Sequence, residues 1–177
     1  MYFYATVPAE SETFIQSLIA SSFPQSKIDK TTDPMNIVFK SNRIDIGQMM
    51  LNSYSYLPIK TYFDFKDVDP LSAVLGFLAK QPPHMRMAIQ IAITPPYFAW
   101  QDKGVKSAGA QIYDEAAEKY VMNPQKMAIM RKATFQGGKT AIRLVVGSTH
   151  EGTDPKPYLT NLAGTFGAFS LLSLIHI

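Results

Sequence analysis

The chain has 177 residues, 46% hydrophobic and 18% charged, a balance that is typical of folded domains and excludes a disordered one. It contains no cysteine, which excludes disulfides, thiolate metal sites and cysteine nucleophiles and favours a reducing, cytoplasmic location. The net charge is only +3, and no apolar run reaches the roughly 20 residues of a membrane-spanning helix.

The first part of the chain predicts short strands around one amphipathic helix. Residues 2–7 are aromatic and β-branched and predict a strand that ends at Pro8. Apolar side chains then recur at helical spacing and predict a helix over residues 8–22: Phe14, Ile15, Leu18 and Ile19. Further strands are predicted at 26–31, 37–39, 44–46 and 57–63, with 37–39 and 44–46 forming a hairpin.

The middle of the chain predicts a capped helix followed by a strand. Asp69 is the expected N-cap and Pro70 the first helical residue of a helix over 69–81. In residues 85–93 large apolar side chains alternate with small or polar ones. Because several of the latter are alanines, we expect a central strand that is covered on both faces.

The last part predicts three helices and a strand. Residues 99–120 are mostly helical in composition, with an interruption near Gly104, and Pro124 starts a helix that runs to about 134. Gly137 and Gly138 are interpreted as a helix C-cap and turn before a strand at 141–146. A final helix is predicted by the apolar stripe Leu159, Leu162, Ala163 and Phe166.

These elements predict an α+β fold with a mainly antiparallel sheet, helices packed on it, and the split βαβ character of a ferredoxin-like arrangement. The helix and strand at 69–93 are echoed at 124–147, which suggests a second such unit. We therefore expect a first subdomain at 1–96, a second, incomplete one at 97–171, and a tail at 172–177.

Residues 133–140 read Ala-Thr-Phe-Gln-Gly-Gly-Lys-Thr, and Gly138, Lys139 and Thr140 match the end of the P-loop pattern G-x-x-x-x-G-K-S/T. A P-loop needs a strand before it and a helix after it, because the helix N-terminus holds the phosphate. Here a helix is predicted before the loop and a strand after it. The match is therefore interpreted as a decoy, with a small NTPase kept as an alternative.

Residues 119–143 carry six cations and no acid: Lys119, Lys126, Arg131, Lys132, Lys139 and Arg143. Such a segment could contact nucleic acid, an anionic membrane surface or an acidic partner. The competing interpretation is a solvated helix face, because no base-stacking aromatic residues are interleaved with the cations. A nucleic-acid-contacting domain is kept as an alternative function.

No other pattern in the sequence predicts chemistry. His84, His150 and His176 lack the spacing of a zinc site, and Asp64, Asp67 and Asp69 lack that of a calcium loop. The aromatic group Tyr97, Phe98 and Trp100 is interpreted as the edge of a core rather than a contact site. We expect no catalytic residue, metal or cofactor in this chain.

Several segments together resemble the region ahead of the motor in type IV secretion and conjugation ATPases, which are HerA/FtsK-like translocation motors. The resemblance spans nearly the whole chain, and its most specific parts are residues 58–62 and 69–73. The segments are YFYATVPAESETFIQSLIASSFP, LPIKTYFDF, DPLSAVLGFLAK, AIQIAITPPYFAWQDKG, TAIRLVV and YLTNLAGTFGAFS.

The resemblance implies a non-catalytic N-terminal domain that docks or assembles the motor by protein–protein contacts. Its partners would be the protein's own C-terminal ATPase module, other subunits of the secretion apparatus and further copies in a homo-oligomer. The parent would lie at the cytoplasmic face of the inner membrane. No position of this chain matches the family's nucleotide-binding motifs.

The last six residues, Leu-Ser-Leu-Ile-His-Ile, can be encoded by CTG TCT CTT ATA CAC ATC, a string that resembles a transposase adapter end. We therefore expect a tail encoded by a sequencing adapter from about Leu171, on a fragment of a longer gene. The alternative is an ordinary apolar tail.

Overall fold

The computed structural model describes residues 2–51, 53–65, 69–95, 99–169 and 175–176. The elements follow in chain order: α1 (Glu12–Ser22), α2 (Met35–Phe39), β1 (Arg43–Leu51), α3 (Ser72–Ala79), β2 (Met85–Thr94), α4 (Ala99–Gly109), β3 (Gln111–Asp114), β4 (Lys119–Met122), α5 (Lys126–Ala133), β5 (Lys139–Ser148), α6 (Lys156–Gly164) and β6 (Ile175–His176). Short 3₁₀ helices lie at Ala9–Ser11, Tyr62–Asp64 and Thr165–Phe169.

The central sheet contains two interleaved β-α-β units. Its strand order is β2-β5-β1-β6, and every neighbouring pair is antiparallel. β1 and β2 therefore run in the same direction, joined through α3, with β5 between them. β5 and β6 are likewise joined through α6, with β1 between them. The α+β fold with split βαβ, ferredoxin-like character is confirmed, although the second unit is completed by α6 rather than by the helix at 124–134.

The main core lies between one face of the sheet and the helices α3 and α6. Its buried residues come from all the long strands and both helices: Met49, Val74, Met85, Leu144, Val146, Leu159, Leu162, Ala163 and Phe166. The stripe predicted for the last helix is thus confirmed residue by residue. Periodicity identified it because each member of the stripe points at the same sheet face.

β5, and not β2, is the central strand. The prediction that residues 85–93 form a strand is confirmed, but the prediction of a central position is wrong, because β2 is the edge of the sheet. On its outer half Ile91 and Ile93 are 58% and 72% exposed. The central strand instead contains the continuous buried run 144–148, which is the pattern of a strand covered on both faces.

Four predicted strands near the N-terminus are wrong. Residues 2–7 and 26–31 pair with no strand in the described part of the chain, and 57–61 have no regular secondary structure before the 3₁₀ helix Tyr62–Asp64. Residues 37–39 belong to α2, because Asp33 Oδ1 accepts a hydrogen bond from the N–H of Met35 at 2.9 Å and Pro34 precedes the first turn. Residues 44–46 do form a strand, as part of β1.

The structure does not divide at residue 96. β5 is hydrogen-bonded between β1 and β2, so residues from both expected subdomains share one sheet and one core. The helix–hairpin–helix segment α4–β3–β4–α5 is instead an insertion between two neighbouring strands. It has a small core of its own, formed by Leu57, Ala108 and Ile129 with Tyr56 packed against it.

The prediction of a helix over residues 99–120 is confirmed only for residues 99–109. α4 passes through Gly104 without interruption. Glycine suits this position because a Cβ there would lie only 3.0 Å from Cβ of Tyr56. The chain then leaves the helix and forms the β3–β4 hairpin. Of the expected tail, residues 172–174 and 177 lie outside the described residues, and Ile175 and His176 pair through the backbone with Leu51 and Met50.

No helix in the described ranges has both the length and the apolarity that crossing a bilayer would take.

Candidate functional site

The loop that resembles a P-loop joins the end of a helix to the start of a strand. α5 ends at Ala133 and β5 begins at Lys139, so the predicted helix–loop–strand order is confirmed. Gln101 Nε2 donates hydrogen bonds to the carbonyl oxygens of Ala133 and Phe135, each at 3.0 Å. A phosphate here would meet the carbonyl end of α5 and the negative end of its dipole, which is the reverse of a nucleotide cradle.

The two glycines of this loop serve close packing. A Cβ on Gly137 would lie 3.0 Å from Cζ2 of Trp100, and one on Gly138 would lie 2.9 Å from a methyl group of Ile93. No described glycine has a positive φ, and the C-cap of α5 is Thr134. The prediction of a glycine C-cap is therefore wrong, because what excludes a side chain here is the neighbouring residue and not the backbone conformation.

The six cations of residues 119–143 are distributed over three elements. Arg131 lies with its guanidinium carbon 5.9 Å from the ring centroid of Phe63, and Arg143 Nη1 donates to Gln90 Oε1 at 3.2 Å. They lie on three elements: Lys119 on β4, Lys126, Arg131 and Lys132 on α5, and Lys139 and Arg143 on β5. A continuous basic run in the sequence thus becomes charges divided between the inserted segment and the sheet.

Lys132 has a structural position that the sequence did not indicate. Its Nζ donates to the carbonyl oxygens of Ser55 and Leu57, at 2.6 and 2.8 Å, and lies 5.7 Å from the ring centroid of Trp100. Burial lowers the pKa of Lys132 below the ordinary lysine value, because desolvation disfavours the ammonium form. Lys132 therefore holds the segment before the insertion against α4 and α5, and its ammonium group is turned to the protein.

Two histidines that are distant in the sequence lie side by side. The ring centroids of His84 and His150 are 5.9 Å apart, because Met85 at the start of β2 pairs with Ser148 at the end of β5. His150 Nδ1 lies 3.3 Å from Thr153 Oγ1. Among the described residues no three His, Cys, Asp or Glu side chains come together as a metal site, and only the backbone of His176 is described.

Asp64 and Asp69 each accept hydrogen bonds within a turn. Asp64 accepts hydrogen bonds from the N–H and the hydroxyl of Thr61, at 2.7 and 2.8 Å, and these bonds lower the pKa of the Asp64 carboxyl. Asp69 Oδ1 accepts from the N–H of Leu71 at 2.9 Å in the turn before the helix. The N-cap of α3 is Leu71 and the helix begins at Ser72, so the prediction of Asp69 as N-cap and Pro70 as the first helical residue is wrong. Asp67 lies outside the described residues.

The aromatic group after the double proline is only partly described. Tyr97 and Phe98 lie outside the described residues, whereas Trp100 is half-buried against Gly137 and Lys132. Trp100 is not among the described residues that pack against either core, so its place at the edge of a core stays a prediction.

The apolar face of α1 is formed by Phe14, Ile15, Leu18 and Ile19, of which Phe14 and Leu18 are exposed and Ile15 and Ile19 are half-buried. Phe14 and Leu18 are 68% and 51% exposed, and α1 has no buried residue. The predicted amphipathic helix is therefore confirmed as a helix, but its apolar face covers no core of the described chain. An amphipathic helix is stable when that face packs against something, so the α1 face has the properties of a binding surface.

The sequence of α1 and of the segment that follows it contains few cations. Residues 12–22 contain one acid and no cation. The two nearest lysines in sequence are paired, Lys30 with Glu12 at 3.0 Å and Lys27 with Asp29 at 2.8 Å. Helices that bind anionic membranes carry lysine and arginine on the polar face, so this charge pattern favours a protein groove.

Comparison of the chain with protein-family models, with curated proteins and with solved structures finds no match in any of the three.

Proposed function

We propose that the chain is the front domain of a type IV secretion or conjugation-type translocation ATPase and that it docks the motor to its apparatus through the α1 face. The observation that carries the proposal is an amphipathic helix with no buried residue, two of whose apolar side chains, Phe14 and Leu18, are more than half exposed. The resemblance of the sequence segments to motor front domains supplies the class of partner. The cysteine-free composition supports a place on the cytoplasmic side of the membrane.

The docking mode that fits is a helix in a groove. Phe14 and Leu18 are four residues apart and lie on one face of α1 together with Ile15 and Ile19. Such i, i+4 anchors, inserted into an apolar groove, are a recurring way in which helices recognise proteins. The groove would belong to the motor module or to a subunit encoded beside it.

The genetic locus supplies the first test. We expect the reading frame around this chain to encode a strand, a G-x-x-x-x-G-K-S/T loop and a helix, the parts that a motor needs. A locus that encodes no such module in this frame would contradict the assignment to a motor.

Binding supplies the second test. The 177-residue chain is titrated with the motor module and the apparatus subunits from its locus, by calorimetry or biolayer interferometry. Phe14→Ser should weaken the binding about tenfold or more, because a buried aromatic anchor would be lost.

The matched control for Phe14→Ser is Phe135→Ser. Phe135 is 64% exposed against 68% for Phe14, and it lies in the loop between α5 and β5, away from α1. Equal losses for both variants, or none for either, would overturn docking through the α1 face.

A further inference from the structure

The outer edge of β2 is an unusually open sheet edge. Met85–Thr94 pairs with Lys139–Ser148 over ten consecutive positions without a bulge, and no described strand pairs with its other side. Proteins usually protect such edges with proline, lysine, inward-pointing charges, bulges or short strands. The strand β2 itself contains none of these. Helix α2 contacts β2 near its start, where Arg86, the one charged residue of the strand, donates a hydrogen bond to the carbonyl oxygen of Ile37 at 2.8 Å.

The core-side face of β2 is covered only along its first half. Met85 is buried, and Met87 and Ile89 pack against the main core. Ile91 and Ile93 continue the same face, but they are 58% and 72% exposed. The strand thus has an apolar stripe that is half covered by its own domain.

The sequence of β2 is complementary to itself in the antiparallel direction. With Gln90 on a two-fold axis, Ile91 lies opposite Ile89 of the second copy and Ile93 lies opposite its Met87. On the other face Ala92 meets Ala88, and Arg86 meets Thr94, so no like charges face each other. Each exposed isoleucine would then lie beside an apolar side chain that is already packed on a core.

The other long edge of the sheet lacks this property. β1 contains a glycine and two charged residues, Gly47, Arg43 and Asp45, and β6 pairs with its end at Met50 and Leu51. Glycine and charge within a strand both weaken edge pairing.

We propose that two copies of this chain associate through antiparallel pairing of their β2 edges and form one continuous sheet across a two-fold axis. The interface is isologous, because each copy contributes the same strand. The inference deepens the proposed assembly role and rests on it for its biological context, but it uses a surface other than the α1 face.

The mass in solution tests the association. Sedimentation equilibrium over a range of concentrations should show the weight-average mass rising from the 19.7 kDa of one chain towards twice that value. Ile93→Lys should raise the dimer dissociation constant about tenfold or more, since a lysine at an edge blocks strand addition.

Ile46→Lys is the matched control for Ile93→Lys. Ile46 is 55% exposed and lies in β1, which is separated from β2 by β5, so its substitution should leave the dimer unchanged. Circular dichroism checks that both variants fold. A single-chain mass at all concentrations, or equal weakening by both variants, would overturn the proposal.

Cysteine cross-linking tests the register independently of stability, since the chain has no cysteine of its own. Gln90→Cys places one thiol on the proposed axis, directly opposite its own copy, where opposite Cβ atoms come within about 4.5–5.5 Å. Ile91→Cys lies diagonal to its own copy, at about 7–8 Å. We expect Gln90→Cys to form a disulfide-linked dimer under mild oxidation, Ile91→Cys to form much less, and Ile46→Cys to form none. Cross-linking of Ile46→Cys to the same extent as Gln90→Cys, or none for Gln90→Cys, would contradict the two-fold β2 interface.

The two proposals can fail separately. A chain that stays monomeric but binds the motor module through Phe14 would refute only the β2 interface. A chain that dimerises through β2 but binds no component from its locus would refute the docking role and leave the interface standing.

Discussion

Lys132 connects three parts of the chain through a single ammonium group. It lies at the end of α5, donates to two carbonyl oxygens in residues 55–57 and approaches the ring of Trp100. The hydrogen bond to Ser55 is exposed, so water can replace the donor there, whereas the one to Leu57 is partly buried. Loss of the donor therefore leaves the Leu57 carbonyl oxygen unsatisfied, which lowers stability by about 1–3 kcal/mol. The residue is therefore a structural clamp.

Replacement of Lys132 by methionine should lower the free energy of unfolding by about 1–3 kcal/mol near neutral pH. Urea denaturation followed by circular dichroism measures the change. Methionine keeps much of the apolar stem, so the loss reports on the two hydrogen bonds rather than on a cavity. An unchanged urea midpoint for Lys132→Met would show that the two hydrogen bonds do not stabilise the fold.

The depressed pKa of Lys132 predicts how this difference depends on pH. Burial lowers the pKa in the folded state only, so the unfolded chain holds the proton more tightly. As the pH rises through the folded pKa towards the ordinary lysine value, the folded state loses the proton first and the stability rises. We expect the wild-type chain to gain stability relative to Lys132→Met as the pH rises towards the ordinary lysine pKa of 10.5. If the free energies of unfolding of the wild-type chain and Lys132→Met changed equally with pH over this range, the burial of the ammonium group would be contradicted.

Gly147 is a position where a side chain has no room. A Cβ there would contact Ser41 Oγ, would lie 2.7 Å from Ser41 Cβ and would lie 3.1 Å from the carbonyl oxygen of Val38. Gly147→Ala should therefore destabilise the protein by about 1–3 kcal/mol, because the loop after α2 must move off the sheet.

Gly76 is the control for Gly147, because no atom lies within 4 Å of a Cβ built there and it sits inside α3. Gly76→Ala should stabilise by roughly 0.5–1 kcal/mol through helix propensity. Thermal unfolding of both variants checks the opposite signs. A loss of stability in both variants would show that the close contacts of Gly147 with Ser41 and Val38 are not the cause of its sensitivity.

At the scale of elements, α1 and α6 have similar apolar spacing and different environments. Leu162 of α6 is fully buried in the main core, whereas Leu18 of α1 is 51% exposed. The same periodicity therefore marks a core helix in one case and an unpartnered helix in the other.

Leucine-to-alanine substitutions should separate the two helices. Leu162→Ala is expected to cost about 2–5 kcal/mol, because it leaves a cavity between α6 and the sheet. Leu18→Ala should change the stability of the isolated chain by less than about 0.5 kcal/mol. Denaturant unfolding measures both values, and a large loss for Leu18→Ala would mean that the α1 face is already covered.

At the scale of the whole molecule, local stability should decrease from the central sheet to the N-terminal helix α1. β5 is hydrogen-bonded on both sides and contains the continuous buried run 144–148, whereas residues 8–22 contain no buried residue. Local stability follows the number of buried contacts.

Native-state hydrogen exchange should resolve this gradient. Amides of β5 should exchange only through global unfolding, and those of α1 should exchange faster by on the order of a hundredfold or more. Addition of a partner that binds the α1 face should slow the hydrogen exchange of the α1 amides and leave that of the other elements unchanged. Equal protection of α1 and β5 in the isolated chain would contradict the unpartnered position of α1.

The sequence predicted those features that depend on neighbours along the chain. The helices α1, α5 and α6, the strands β2 and β5 and the reversed order around Gly138 were all predicted from local periodicity and turn residues. Strand predictions failed at 2–7, 26–31 and 57–63, because β propensity reports how a residue fits a pleated surface and not whether a partner strand exists.

The sequence by itself therefore determined the class of the fold, most helices and the absence of a phosphate cradle at residues 133–140, since each follows from short-range spacing. Only the tertiary structure decided that β5 is central and β2 an edge, that Lys132 is half-buried and that α1 contains no buried residue. Strand order and burial arise from contacts between residues far apart in the chain, and a local pattern does not encode which distant segment will be its neighbour.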